Sequence, residues 1–130
     1  MKILFDTNVL VAGFTSRGSC HELIIDATGT YDIYYTDYII DEFQKVLQGK
    51  FDFQEKLVQG FINLIKETFK KGKTATQIPP VCRDVDDNQI LADALINDID
   101  VIITGDFDLL EMKTYQGIKI ISPAGYWKLI

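Results

Sequence analysis

An α/β fold built on a parallel sheet follows from two features of the sequence. The apolar pattern switches repeatedly between a strand-like and a helical period, which is how alternating β and α elements read. Two short runs, Ile3–Phe5 and Val101–Thr104, are apolar almost without interruption, as expected of central strands buried on both faces.

Ile3–Phe5 is the first strand, and Val9–Ala12 continues it into apolar structure. Cys20, Leu23, Ile24 and Ala27 form a helical stripe, which Gly29 is expected to stop. Tyr31–Tyr35 reads as the second strand. Ile39, Ile40, Phe43, Val46 and Leu47 form the next helical stripe, with Asp37 as its N-cap and Gly49 as its stop. Residues 54–71 carry Leu57, Phe61, Leu64 and Ile65 on one face, with Val58, Ile62 and Phe69 beside it. So broad an apolar sector predicts a cover, either a neighbouring helix or a second subunit. A homodimer or a partner helix over Val58, Ile62 and Phe69 is the expectation. The run Lys70-Lys71-Gly72-Lys73 reads as that helix's C-terminus, with favourable charges and a glycine stop. Ile78-Pro79-Pro80-Val81 is an extended connector, Asn88–Asn97 a helix, Val101–Thr104 a strand and Lys119–Ile121 a last short strand. Ser122 caps a terminal helix with Pro123 at its first position. No linker, repeat or low-complexity segment interrupts residues 1–130, so one domain is expected.

Hydrophobic residues make up 47% of the chain, enough for a core without covalent staples. No apolar run reaches the ~20 residues of a membrane span, and Met1-Lys2 leads straight into a strand, so no signal peptide is expected. Cys20 and Cys82 lack metal-ligand spacing and read as packing residues, which suits a reduced cytoplasm. The single His21 cannot build a zinc site. A net charge of −6 counts against a generic polyanion binder, because phosphate neutralisation needs a basic surface.

The chemistry lies in four of the nineteen acidic residues: Asp6, Glu42, Asp87 and Asp106. Asp6 and Asp106 each follow an apolar run that reads as a central strand. In open parallel sheets, ligands bind beyond the carboxyl ends of the strands. At ~100° per residue, Glu42 falls on the flank of its helix's apolar stripe, while Asp41 points to water. The same wheel puts Asp87 near the centre of the inward face of the next helix, and Asp86 nearer its edge, as a cap or supporting group. An acid on an inward first turn is costly unless paired or metal-bound. Carboxylates sharing one cleft repel each other, so the set points to a hard cation such as Mg²⁺ or Mn²⁺. Taken singly, each segment also reads as ordinary punctuation: an Asx-turn at Asp6-Thr7-Asn8, a helix start at Asp84–Asn88, a turn and cap at Gly105–Asp108, a solvated Glu42. Their joint placement at one sheet edge outweighs those readings.

The segments Leu4-Phe5-Asp6-Thr7-Asn8-Val9-Leu10-Val11, Cys82–Ala92 around Asp87, Ile103-Thr104-Gly105-Asp106-Phe107-Asp108-Leu109-Leu110 and Gly117–Pro123, together with Glu42, resemble the PIN-domain family, in its toxin branch of bacterial and archaeal toxin–antitoxin pairs. The resemblance implies a three-layer α/β/α sandwich with a mostly parallel sheet of about five strands. It also implies that Asp6, Glu42, Asp87 and Asp106 hold Mg²⁺ or Mn²⁺ for cleavage of single-stranded RNA, with an antitoxin protein as partner. Thr7, Asn8 and Thr104 would orient carboxylates and waters, and Asp108 would be an auxiliary fourth acid.

The expected function is therefore a metal-dependent endoribonuclease. A rival is a non-catalytic PIN-like module that binds RNA or protein. A phosphotransfer domain is a weaker rival, because Asn8 stands where its phosphatase form wants a second Asp.

Overall fold

The computed structural model describes residues 1–129. Strand β1 (Lys2–Phe5) is followed by helices α1 (Thr7–Thr15) and α2 (Ser19–Thr30), then by β2 (Asp32–Tyr35), α3 (Asp37–Gly49), α4 (Glu55–Thr68) and β3 (Lys70–Lys71). The second half runs α5 (Val85–Ile96), β4 (Val101–Ile103), α6 (Phe107–Met112), β5 (Thr114–Tyr115), β6 (Ile118–Ile121) and α7 (Pro123–Tyr126). The strands form one six-stranded sheet in the order β3-β2-β1-β4-β6-β5. It is parallel except for the β5–β6 hairpin.

The centre of the sheet is where the sequence placed it. Ile3, Leu4 and Phe5 of β1 pair with Val101, Ile102 and Ile103 of β4, and all six are buried. The chain runs outward on one side from β1 to β2 to β3, then crosses back to β4 on the other side of β1. Right-handed crossovers therefore carry α1–α4 over one face and α5 over the other, giving the α/β/α sandwich. The reversal of direction occurs between β1 and β4, the crevice where such sheets bind ligands.

Several local expectations are corrected. Helix α2 runs through Gly29 to Thr30, because Gly29 is exposed with open space where a Cβ would lie and nothing there forces a turn. The N-cap of α3 is Thr36, not Asp37; its hydroxyl accepts from Ile39 N at 3.3 Å. Helix α5 starts at Val85, earlier than expected, and its cap is Asp84 rather than Asp86. Lys70 and Lys71 are not a helix end. They pair in parallel with Tyr34 and Tyr35 as an exposed edge strand, where lysines discourage pairing with another chain. The sixth strand, β5, joins β6 through Gln116 and Gly117, both at positive φ (47° and 85°), as a tight two-residue hairpin requires.

The apolar sector of residues 54–71 also divides differently from the expected faces, with Ile65 parting from Leu57 and Leu64. Val58, Ile62, Ile65 and Phe69 are buried in the protein's own core, whereas Leu57 and Leu64 are about half exposed. The cover expected over Val58, Ile62 and Phe69 is this chain itself, not a second subunit. No helix among the described residues is long and apolar enough to cross a membrane.

Candidate metal centre

Three carboxylates reach the cleft because each caps a helix. Asp6 ends β1 and caps α1, with Oδ1 accepting from Thr7 N at 2.7 Å. Asp84 caps α5, accepting from Asp86 N at 2.8 Å. Asp106 follows β4 and caps α6, accepting from Asp108 N at 2.8 Å. Three helix N-termini thus converge, and their exposed N–H groups favour the negative charge gathered there. The repulsion among the acids is offset in part by backbone.

The residues surround a cavity of about 110 Å³ lined by Asp6, Thr7, Asn8, Tyr38, Glu42, Val46, Asp84, Asp86, Asp87, Ile90 and Asp106. All four acids expected from the sequence line it, as do Thr7 and Asn8. Six of the lining residues are carboxylates, and none is Lys or Arg. Oxygens of Asp84, Asp87 and Asp106 all lie within 4.8 Å of one another.

Asp6 is held rigidly. Besides Thr7 N, it accepts from the Thr104 hydroxyl at 2.7 Å, and Thr104 Oγ1 in turn accepts from Asp106 N at 3.0 Å. The fully buried Thr104 therefore ties the two strand-end acids together. Burial raises the Asp6 pKa, the Thr104 and Thr7 bonds oppose the rise, and the charges of Asp106 and Asp86 add to it. Asp87 differs: its side chain is buried and Oδ2 has no hydrogen-bond partner among the described residues. Burial first, then Asp106 beside it, then the charges of Asp84 and Asp6, push its pKa up to about 7. Glu42, on the flank of α3, is raised by burial and then by Asp86, with Lys45 opposing.

Asp86 turns to Tyr38, whose hydroxyl donates to it across the mouth between α3 and α5. Burial and this bond drive the Tyr38 pKa upward. Asp108 is placed differently from the other acids. It lies outside the cavity lining and is paired with Arg83, whose guanidinium is 3.1 Å from Oδ1. Two participants went unrecognised in the sequence, Asp84 and Tyr38. Asp84 was detectable as the residue one helical turn before Asp87, on the same face; Tyr38 had no signal beyond its place in the first turn of α3.

The donor set fits a hard divalent cation: oxygen ligands only, a buried carboxylate oxygen with nothing to bond, and repulsion that a cation would relieve. No curated protein matches the sequence. The fold is similar to a chain of the crystal structure of VapBC2 from Rickettsia felis bound to a DNA fragment from their promoter, with a TM-score of 0.68. That match covers 94% of this chain and 98% of the other at 9% identity, so it speaks to the fold. A family model described as PIN domain matches residues 2–108, and with that match the chain belongs to the PIN-domain family.

Proposed function

We propose that the protein is a metal-dependent endoribonuclease that cuts single-stranded RNA and is the toxin of a toxin–antitoxin pair. The observation that carries the reading is Asp87: a buried carboxylate with an unpartnered oxygen, in a cleft of five further acids. Leaving it so is costly unless a cation completes it. Asp6, Glu42, Asp87 and Asp106 are the metal ligands of this reading, and Asp84 joins them by its closeness to Asp87 and Asp106. Bound Mg²⁺ or Mn²⁺ supplies a Lewis acid that lowers the pKa of a coordinated water and offsets charge on the phosphate. Thr104 and the amide of Thr7 fix the direction of Asp6, while Tyr38 holds Asp86 at the rim. Asn8 faces the cavity as an uncharged donor and acceptor. Asp108, committed to Arg83, supports the outer edge.

The antitoxin partner rests on the family and on the fold likeness to VapBC2. The homodimer expected over Val58, Ile62 and Phe69 loses that surface to the core.

The test is cleavage of single-stranded RNA by purified protein in Mn²⁺ or Mg²⁺, in EDTA, and after Asp6→Asn. The expected result is cutting with metal, none with EDTA, and loss in a folded Asp6→Asn. Undiminished cutting by Asp6→Asn overturns the assignment. RNA binding that survives both EDTA and the substitution, without cutting, favours a scaffold.

A further inference from the structure

Next in sequence to a cleft acid stands an exposed aromatic ring outside the hydrophobic core. Phe107 is the first residue of α6 and is 73% exposed. It directly follows Asp106, whose carboxylate lines the cavity. Its other neighbour, Asp108, binds Arg83, with one guanidinium nitrogen 3.1 and 3.2 Å from the two carboxylate oxygens. The Arg83 side chain is 88% exposed, so its remaining donors face water. Three features thus follow one another across the start of α6: a cleft carboxylate, an uncovered ring and a cation with free donors. Val85, at the equivalent first position of α5, is equally exposed and follows Asp84, whose carboxylate lies within 4.8 Å of those of Asp87 and Asp106.

We propose that Phe107 is a stacking platform for an unpaired base of single-stranded nucleic acid, next to the phosphate that a metal ion at the carboxylates would hold, with Arg83 taking a neighbouring phosphate. This rests on the nuclease reading and specifies how the substrate is held. An acidic protein whose cleft lacks any Lys or Arg cannot attract a polynucleotide by surface charge. The uncharged face of a base is the part of the substrate that acidic surroundings do not repel. Base–aromatic stacking also tolerates any sequence, because every base has a π-face. A duplex keeps its bases stacked inside, so the ring engages only unpaired strands.

The experiment compares wild type, Phe107→Ala and Phe107→Trp on a short single-stranded RNA and on the same strand annealed to its complement. KM and kcat are measured with Mn²⁺. Fluorescence of 2-aminopurine placed beside the cut site is followed with Ca²⁺, to report stacking apart from cleavage. Phe107→Ala is expected to raise KM about tenfold, the scale of one lost base stack, with kcat nearly unchanged. It should also abolish 2-aminopurine quenching, and Phe107→Trp should restore both. The annealed strand should be a poor substrate for all three. Equal KM and equal quenching in wild type and Phe107→Ala overturn the platform while leaving the nuclease reading intact. A wild type that neither binds nor cuts the RNA overturns both. Unchanged RNA parameters with loss of a co-purifying protein would assign the ring to protein docking and overturn the proposal.

Discussion

Asp87 and Asp93 lie on the same helix, both almost wholly buried, and they have opposite surroundings. The Asp93 carboxylate accepts from Ala75 N at 2.7 Å, Gln89 Nε2 at 2.8 Å and Thr36 Oγ1 at 3.0 Å. Burial raises its pKa, and those three bonds pull it back. Asp87 has an orphan oxygen and acidic neighbours instead. Burial alone therefore does not set Asp87 apart from Asp93; the missing partner does. Asp93 is a strut joining α5, the start of α3 and the segment after β3. On the proposed reading, Asp87 gives up stability for the site.

The largest effect should come from breaking the strut. Asp93→Ala leaves three buried donors unsatisfied and should cost about 3 kcal/mol, read by urea unfolding. A loss too small to resolve would mean that water repairs the network and that the contrast with Asp87 is weaker than the geometry suggests.

Metal should separate the two acids next. At a hundredfold excess over Kd, Mn²⁺ should stabilise the wild type by about 2.7 kcal/mol. Asp87→Asn and Asp84→Asn should respond much less, and a folded Asp93→Asn should respond in full. Equal metal responses in wild type and Asp87→Asn, in thermal melts, would remove Asp87 from the ligands.

In EDTA the signs should reverse. Asp87→Asn relieves repulsion at nearly constant shape, so it should be more stable than the wild type by about 1 kcal/mol near neutral pH. The pH dependence follows from the direction of the shift. The folded pKa, about 7, is above the unfolded value of 3.8, so the folded state holds the proton more tightly. The stability contributed by this group is full below pH 3.8 and is lost as pH rises toward 7. The metal-free wild type should therefore melt progressively lower across that window, and Asp87→Asn should show a shallower slope. Asp6, Glu42 and Asp93 shift in the same direction, so the slope should not vanish. A wild type that melts higher as pH rises through the window would refute the strained-site account.

The smallest effect should be at Glu42, which is only half-buried and pulled back by Lys45. Glu42→Gln in EDTA should gain roughly a few tenths of a kcal/mol, as for other solvent-screened surface charges. A gain matching that of Asp87→Asn would mean that the repulsion is shared evenly and not centred on α5.

What the sequence revealed and concealed follows from these contrasts. The β1 and β4 runs had no polar interruption, and a strand-end Asp after each could go only to the carboxyl edge. Asp87 stood out because an acid on an inward face breaks the apolar pattern. Asp84 did not, because a cap and a ligand use the same residue type at the same place. The α4 stripes were ambiguous because Val58 and Ile62 border Leu57 and Phe61 on the wheel, and periodicity does not say which border the core takes. The edge strand at Lys70–Lys71 was illegible, since it buries no side chain. The β5–β6 turn escaped notice because Gln116 takes a conformation usually left to Asn or Asp.

The bond from Thr104 to Asp6 spans 98 positions of the chain, and Asp6 N reaches across the sheet to Ile103 O at 2.9 Å. During synthesis, then, the first acid has the Thr7 amide at once but waits for residues 103 and 104 before its other partners emerge. An unfinished chain that ends before β4 has Asp6, Glu42, Asp84 and Asp87 but lacks β4, the neighbour of β1 that brings Thr104 and Asp106 to them. Such long-range closure is slow and comes late. On the nuclease reading, a cutting centre can therefore assemble only after β4 has joined β1.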